Sequence, residues 1–371
     1  MAESCPRCGR ADVTGGRCPQ CGVAVALFRA SLDKLRRGPA APVAAPVSAP
    51  TLAPPTVAAA SRRLVFHGSG PGLFGIQALN ALLTLLTLGV FYFWAKTRVR
   101  RYVYGETELD GDRFAYHGTG RELLGGFARG AAVFFIPIAL CSVLPELYQA
   151  PAEVKAALRR LLWLVGLLLV PVAMVGARRY RLSRTSWRGI RFSFRGRVRE
   201  FIGIFVVGTT LTSLTLGLYY PVFITQRQAF MISNAYFGSR KLDFDGRGRD
   251  LMRPFLTMIL LFLPTLGLSW FWFSARRHRY FTEHTRFGLT RFRSSVPGGQ
   301  LAWLQITNAV AIVLTLGLAW PWTVVRGLRF TFRYLRLDGP LDVADVHQDA
   351  RAASATGEGL AGLLDADFGV S

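Results

Sequence analysis

The feature that most constrains this chain is a series of six apolar runs, each close to the length of a membrane-crossing helix. A helix needs about 20 apolar residues to cross the hydrocarbon of a bilayer. The sequence therefore predicts a mainly α-helical membrane protein with about six membrane-embedded helices. The runs cover residues 73–95, 127–144, 161–177, 201–224, 255–273 and 301–325.

The charge of the chain is strongly basic, with a formal net charge of +23 that comes from 41 arginines and only 4 lysines. Such a charge can serve nucleic-acid binding, or it can sit beside membrane spans as topology signals and headgroup contacts. The arginines cluster just after the apolar runs, as in residues 98–101 and 276–279. This position favours the lipid bilayer and its anionic headgroups as partners and disfavours nucleic acid.

Four cysteines near the N-terminus form two C-x2-C pairs, each followed by glycine. Four thiolates in a tetrahedral array suit a structural Zn2+ and leave no open position for chemistry. Two disulfides are the alternative, but no secretory signal precedes the motif. The pattern therefore predicts a zinc ribbon at residues 1–30 and a cytoplasmic N-terminus. The ligands would be Cys5, Cys8, Cys18 and Cys21.

Composition divides the rest of the chain into three parts. Residues 31–61 are rich in alanine and proline, which is typical of a semi-rigid linker. Residues 62–337 contain all six apolar runs and form the predicted membrane domain. Residues 338–371 are acidic and lack apolar periodicity, so we expect a disordered tail.

The membrane domain repeats with a period near 50 residues, and each unit opens with an aromatic residue, one variable residue and usually glycine, as in Phe66-His67-Gly68. In four units the apolar run reaches Thr-Leu-Gly, where glycine is a plausible helix stop. Proline four residues later, as in Pro221, can open a second helix. Asp110-Gly111 between alternating residues predicts a β-hairpin. We therefore expect short strand pieces between the helices.

These motifs together resemble the YjgN-like family of bacterial inner-membrane proteins. The first unit carries the resemblance best, and it extends over about residues 64–337. It implies location in the bacterial inner membrane and supplies no catalytic residues. The cysteine module is an addition to the family core. The motifs are Phe66-His67-Gly68-Ser69-Gly70, Asn80, Thr87-Leu88-Gly89, Trp94, Arg98-Val99-Arg100-Arg101-Tyr102 and Asp110-Gly111-Asp112-Arg113-Phe114.

A register of arginines follows the Thr-Leu-Gly glycines. In three units tryptophan lies five residues on and arginine nine and twelve residues on, so all three share one helical face. An aromatic belt followed by boundary charges would explain the register, and so would guanidinium forks for lipid phosphate or another anion. The third unit departs, with Gln226 and Ala229 in the arginine positions. The candidate contacts are Arg98, Arg101, Arg276, Arg279, Arg326 and Arg329.

Two polar stripes lie inside apolar runs at i, i+3 spacing: Gln77 with Asn80, and Gln305 with Asn308. Such groups most often form hydrogen bonds between packed helices, but they can also line a substrate path. Both interpretations stay open. No Asp or Glu lies within an apolar run, which argues against a proton-coupled pump.

A simple arrangement of six membrane passes conflicts with the distribution of positive charge along the chain. Starting from a cytoplasmic N-terminus, single passes would place the arginine-rich links 96–126 and 178–199 outside, against the positive-inside tendency. One alternative is that most units re-enter, turning at Thr-Leu-Gly, while the second unit forms a complete hairpin around residues 145–160. The other is an N-terminus outside, which would expose the zinc thiolates to oxidation.

These features favour two functions. The first is a transporter or channel-like protein for an anionic or lipidic substrate, built from repeats around a polar interior. The alternative is a membrane-anchored scaffold or sensor whose zinc ribbon recruits a cytoplasmic partner. No catalytic triad spacing or phosphate-binding loop is present, so we expect no enzyme.

Overall fold

A computed structural model of the protein describes residues 61–341, 343 and 345–348, together with the isolated positions 24, 26 and 27. The chain divides into two units, Met1–Thr56 and Val57–Ser371, and the strands and helices from residue 61 onward belong to the second. The four predicted zinc ligands with nearly all of residues 1–30, nearly all of the linker and the tail after residue 348 lie outside the described residues.

Five units of one design follow one another, each consisting of a strand, two helices and a strand. The strands are β1 Leu64–Phe66, β2 Thr107–Leu109, β3 Asp112–Tyr116, β4 Thr185–Trp187, β5 Ile190–Phe194, β6 Ala235–Phe237, β7 Arg240–Phe244, β8 Thr285–Phe287, β9 Thr290–Ser294 and β10 Leu335–Asp338. The helices are α1 Gly70–Leu86, α2 Tyr92–Gly105, α3 Gly120–Leu147, α4 Ala152–Ser183, α5 Val198–Leu214, α6 Tyr220–Ser233, α7 Met252–Phe262, α8 Ser269–Glu283, α9 Gly298–Leu314 and α10 Trp320–Tyr334. A short 3-10 helix, Gly248–Leu251, precedes α7.

The ten strands form one antiparallel sheet in which each strand pairs with the next along the chain. Arg62 closes the sheet against β10, because its N–H donates to the Leu337 carbonyl at 2.9 Å and its carbonyl accepts from the Leu337 N–H at 2.8 Å. Asp110 and Gly111, with φ of 56° and 84°, make the predicted turn between β2 and β3. The result is a small barrel-like sheet whose two ends are joined by the bridge between Arg62 and Leu337.

The inside of this barrel is filled by large apolar side chains from alternate strand positions. Trp187 stacks on Phe114 with ring centroids 6.1 Å apart and contacts Phe237 at 5.7 Å. The buried members of the cluster are Leu109, Trp187, Phe237, Phe287, Leu337 and Val346. The described part of the barrel therefore encloses a packed hydrophobic core.

Thr-Leu-Gly forms the tip of four helical hairpins, as the glycine predicted, and in two of them a proline lies in the first turn of the second helix. In the first hairpin the Thr87 hydroxyl accepts from the Phe91 N–H at 2.9 Å, and the Gly89 N–H donates to the Thr84 carbonyl at 2.7 Å. Leu88 and Gly89 have φ of 49° and 92°. The same leucine conformation recurs at the other three tips, and all four tip leucines are more than nine-tenths exposed. The other three are Leu216, Leu266 and Leu316.

The prediction of about six membrane-embedded helices is not confirmed. From residue 61 onward the described residues contain ten α-helices, and two of them, α3 and α4, are long and apolar enough to cross a membrane. The difference arises because apolar residues continue through the tips, so one hydropathic run such as 201–224 holds the end of one helix and the start of the next. The apolar helices α1 and α9 have only 17 residues each.

Neighbouring hairpins contact each other around the ring, including α10 of the last unit with α1 of the first. A buried cluster lies at this last joint, where Phe66 and Leu73 of the first unit pack with Val325 and Leu328 of the last. The helical layer is therefore held together between units as well as within them.

The folded unit extends beyond Asp338, where the sequence placed the start of a disordered tail. Leu341 and Val343 pack against the barrel core, and Val346 is buried within it. The Gln348 side-chain oxygen accepts from the Arg191 N–H at 2.9 Å. Apolar residues at positions 341, 343 and 346 explain this, since they can bury themselves in the barrel despite their acidic neighbours.

Candidate anion-binding groove

The glycine of the opening motif allows an aromatic ring to fold back on the chain. A methyl group on Gly68 would lie 2.4 Å from the Phe66 ring, and methyl groups on Gly118, Gly196 and Gly246 would lie 2.6–2.7 Å from the corresponding ring. Only glycine therefore fits this position without displacing the aromatic side chain. The turn presents the glycine carbonyl toward the preceding unit.

Two of the three arginines that lie twelve residues after a tip glycine donate hydrogen bonds to those carbonyls. Arg101 donates to the Gly118 carbonyl at 3.5 Å, and Arg329 of the last unit donates to the Gly68 carbonyl of the first at 2.8 Å. In the second unit, Arg179 donates to the carbonyl of residue 196 at 2.7 Å. These contacts join consecutive units and close the ring.

The register of arginines does not predict Arg179, because the second unit lacks Thr-Leu-Gly and the register starts from that motif. Counting backwards from the next strand reveals it, since Arg179 and Arg101 each lie six residues before the first residue of a strand. Arg279 shares this position but has no hydrogen bond among the described contacts.

The arginines nine residues after the tip face their own hairpin. Arg98 approaches the Asn80 side-chain oxygen at 3.5 Å and lies over the Phe91 ring at 5.0 Å. Arg326 donates to the Thr307 hydroxyl at 3.1 Å. Arg276 occupies the same register and is exposed.

Arg98 and Arg101 line one groove between α1 and α2. Ile76, Leu79 and Tyr102 complete its wall, and the groove encloses about 450 Å³. Among the described residues no carboxylate pairs with either guanidinium, and both side chains are exposed. The groove therefore offers two cationic forks next to an apolar helix surface, which is the pattern that an anionic headgroup with an acyl chain requires.

The positions of these arginines limit how deeply a short hairpin can enter hydrocarbon. Arg98 follows Gly89 by nine residues, which corresponds to about 13 Å at about 1.5 Å per helical residue. This depth is close to half of the roughly 30 Å hydrocarbon thickness of a bilayer. The groove would then lie at the level of the headgroups when the tip is embedded.

The two polar stripes are split between buried and accessible positions. Asn80 and Asn308 are buried, whereas Gln77 is half-buried and Gln305 is exposed. The Asn80 side-chain nitrogen donates to the Ala95 carbonyl of α2 at 3.4 Å. The Asn308 side-chain oxygen is buried without a hydrogen-bond partner among the described residues. Each stripe is therefore divided between a buried asparagine and a more accessible glutamine.

The tryptophans of the register pack on glycines of the next unit. Methyl groups at Gly70, Gly120 and Gly298 would lie 2.3, 2.5 and 2.7 Å from the rings of the corresponding tryptophans, which are Trp322, Trp94 and Trp272, respectively. The sequence suggested an aromatic belt at the membrane boundary. Contact with the next hairpin is a second role for these side chains. The repeated spacing from tryptophan to glycine is the sequence pattern that could have predicted this contact.

The two histidines of the opening motifs have different partners. His67 contacts the Glu108 carboxylate at 2.8 Å, and His117 contacts the Ser186 hydroxyl at 2.8 Å. Burial lowers the pKa of the His117 imidazole, and the nearby arginine charges, of which Arg191 is the largest contributor, lower it further. His117 is therefore neutral near neutral pH and serves as a hydrogen-bonding turn residue.

The described residues thus form a repeat architecture, a closed ring of helical hairpins in which two helices are long and apolar enough to cross a membrane and one groove is lined by arginines. The chain belongs to the DUF898 family, described as bacterial proteins of unknown function, whose model matches residues 61–271 and 254–363. The family match covers all five units.

Three relatives carry the name "Inner membrane protein YjgN". The protein of Escherichia coli K12 is 35% identical over 141 residues, covering 38% of this chain and 33% of that protein. The protein of Escherichia coli O157:H7 is 35% identical over 134 residues, covering 36% and 31%. The Salmonella typhimurium protein is 33% identical over 139 residues, covering 37% and 32%. The aligned part thus spans about a third of each relative, and no solved structure matches the chain.

Proposed function

We propose that this chain is a bacterial inner-membrane protein that binds anionic phospholipid headgroups as part of moving or sensing a lipidic substrate. The groove of Arg98 and Arg101 beside Ile76 and Leu79 is the observation that carries the proposal. The name of the relatives supports the inner membrane as its location.

The packed core of the barrel favours a protein that handles a lipidic substrate over a channel for ions or water. Buried Trp187, Phe237 and Phe287 fill the inside of the sheet. A water-filled path along the axis would have to displace these packed side chains at the cost of their burial. The groove of Arg98 and Arg101 lies instead on the outside of a hairpin, where lipid would be.

The test is lipid binding by the Arg98→Gln/Arg101→Gln variant. We expect the solubilised wild-type protein to retain phosphatidylglycerol, detected by native mass spectrometry, and the variant to retain severalfold less of it. The reason is the loss of two charge-assisted contacts to phosphate. Phosphatidylcholine, offered in parallel, should distinguish recognition of net charge from recognition of phosphate.

A matched control is the Arg293→Gln/Arg336→Gln variant, which removes the same charge from exposed positions on barrel strands. It should retain lipid as the wild type does. Equal loss in both variants would mean that overall charge, and not the groove, holds the lipid, and the proposal would fail. Retention of lipid by the groove variant would also contradict it.

We further propose that the hairpins enter the membrane unequally. The 28 and 32 residues of α3 and α4 are long enough to cross, whereas the arginines of the short hairpins stop them after about one leaflet. Each hairpin begins and ends at the barrel, so the links 96–126 and 178–199 share one side of the membrane. This arrangement would satisfy the positive-inside tendency.

Cysteine accessibility tests this arrangement in a chain whose five native cysteines are replaced by serine. With an impermeant maleimide, Gln149→Cys at the tip of the long hairpin should react in intact cells. Ser239→Cys in a barrel turn should react only after permeabilisation. Leu216→Cys at a short tip should react in neither case, because it lies in hydrocarbon. Reaction of Leu216→Cys in intact cells would show that the short hairpins also cross.

A further inference from the structure

One cation is present at the same position in all five units, three residues before the end of the first strand. Every one of these side chains is exposed. Other repeated features are lost in at least one unit: Thr-Leu-Gly is absent from the second, and Ala229 replaces arginine in the third. The five residues that form this cation ring are Arg63, Arg113, Arg191, Lys241 and Arg291.

The cation ring lies on the outer surface of the barrel, since the next residue of each strand points into the core, as Phe114 does after Arg113. Arg113 has only a loose contact with Glu106 at 3.7 Å, and Lys241 with Asp243 at 3.9 Å. Within the described residues, no ion pair involves the other three members. The ring is thus a largely uncompensated basic surface.

The described C-terminal residues end beside this surface. Val346 is buried in the barrel, the His347 N–H donates to the Ser239 hydroxyl at 3.3 Å, and Gln348 contacts the backbone of Arg191. The 23 residues that follow carry a single arginine against four carboxylates. The carboxylates are Asp349, Glu358, Asp365 and Asp367.

We propose that the acidic segment 349–371 docks on the cation ring and screens it from other anionic surfaces. Its charge is complementary to the ring, and the residue before it, Gln348, is held next to Arg191. Even as a random coil, a segment of 23 residues has an end-to-end distance of roughly 25 Å, enough to reach neighbouring members of the ring. Exposed ion pairs are individually weak, but tethering raises the effective concentration of the segment to the millimolar range.

The experiment measures binding of a fluorescent peptide of residues 349–371 to solubilised protein truncated after Gln348. The truncated protein should bind the peptide at low salt, and the full-length protein should bind it at least about tenfold more weakly because its own segment occupies the ring. Replacing all five members of the ring with glutamine in the truncated protein should abolish binding. A control peptide with Asn and Gln in place of Asp and Glu should not bind.

If the fivefold variant does not fold, the Arg191→Gln/Lys241→Gln variant and a salt titration of the truncated protein replace it, each expected to weaken binding severalfold. Equal binding to truncated and full-length protein, or binding that survives loss of the ring, would overturn the proposal. If the ring binds anionic vesicles equally well with and without the segment, the ring faces the membrane surface and the proposal is also overturned.

Discussion

Trp187→Ala is expected to be the most destabilising single substitution in the barrel, costing about 3–5 kcal/mol in the free energy of unfolding. Trp187 is 3% exposed and contacts both Phe114 and Phe237. Its indole N–H also donates to the Asp112 carbonyl at 3.2 Å. Alanine would leave a cavity at the centre of the sheet that joins all five units. Denaturant titration of the solubilised protein measures the loss.

Trp163→Ala is the matched control, because Trp163 lies in α4 and is 77% exposed. Its replacement should change the free energy of unfolding by less than about 1 kcal/mol. A similar loss in both variants would mean that the barrel core contributes no more to stability than the outer helix surface. That result would contradict the role of the barrel as the core of the fold.

Local chemistry explains which parts of the fold could be predicted. The Thr-Leu-Gly tips follow from the left-handed backbone that Gly89 adopts, and the β2–β3 turn follows from Asp110-Gly111. Pro221 lies in the first turn of α6, as its position predicted. In each case the residues that decide the structure are close neighbours in sequence.

Contacts between distant residues explain what could not be predicted. Arg62 pairs with Leu337, and Trp322 packs on Gly70, so the closure of the ring joins the two ends of the membrane domain. No local pattern marks such pairs. Hydropathy did not show where one helix of a hairpin ends and the next begins, because the tip leucines are as apolar as the helices on either side. The internal repeat was the one sequence feature that could have indicated this closure. A contact that consecutive units make with each other can also form between the last unit and the first.

The candidate site was predicted in part for the same reason. The spacing of Arg98 and Arg101 placed both on one face of a helix, and they line one groove. The spacing gave no information on the depth of the groove or on the apolar residues that α1 contributes to its wall. The separation of buried Asn80 from half-buried Gln77 depends on how α1 packs, which the i, i+3 pattern does not determine.

Gly208→Ala should have the second-largest effect, because a methyl group there would lie 2.0 Å from the Phe223 ring of the partner helix α6. Phe223 is itself held against Phe205 with ring centroids 5.9 Å apart, so it has little room to move. Overpacking of this kind costs about 1–3 kcal/mol. Gly203→Ala is the control in the same helix α5, since nothing lies within 4 Å of a methyl group at that position.

Both substitutions gain up to about 1 kcal/mol of helix propensity, so the difference between the two variants isolates the steric term. We expect Gly208→Ala to unfold at lower denaturant than the wild type and Gly203→Ala at equal or higher denaturant. Adding Phe223→Ala should relieve the clash, so that Gly208→Ala costs less in that background than in the wild type. Equal unfolding of the two alanine variants would show that α5 and α6 do not approach each other this closely.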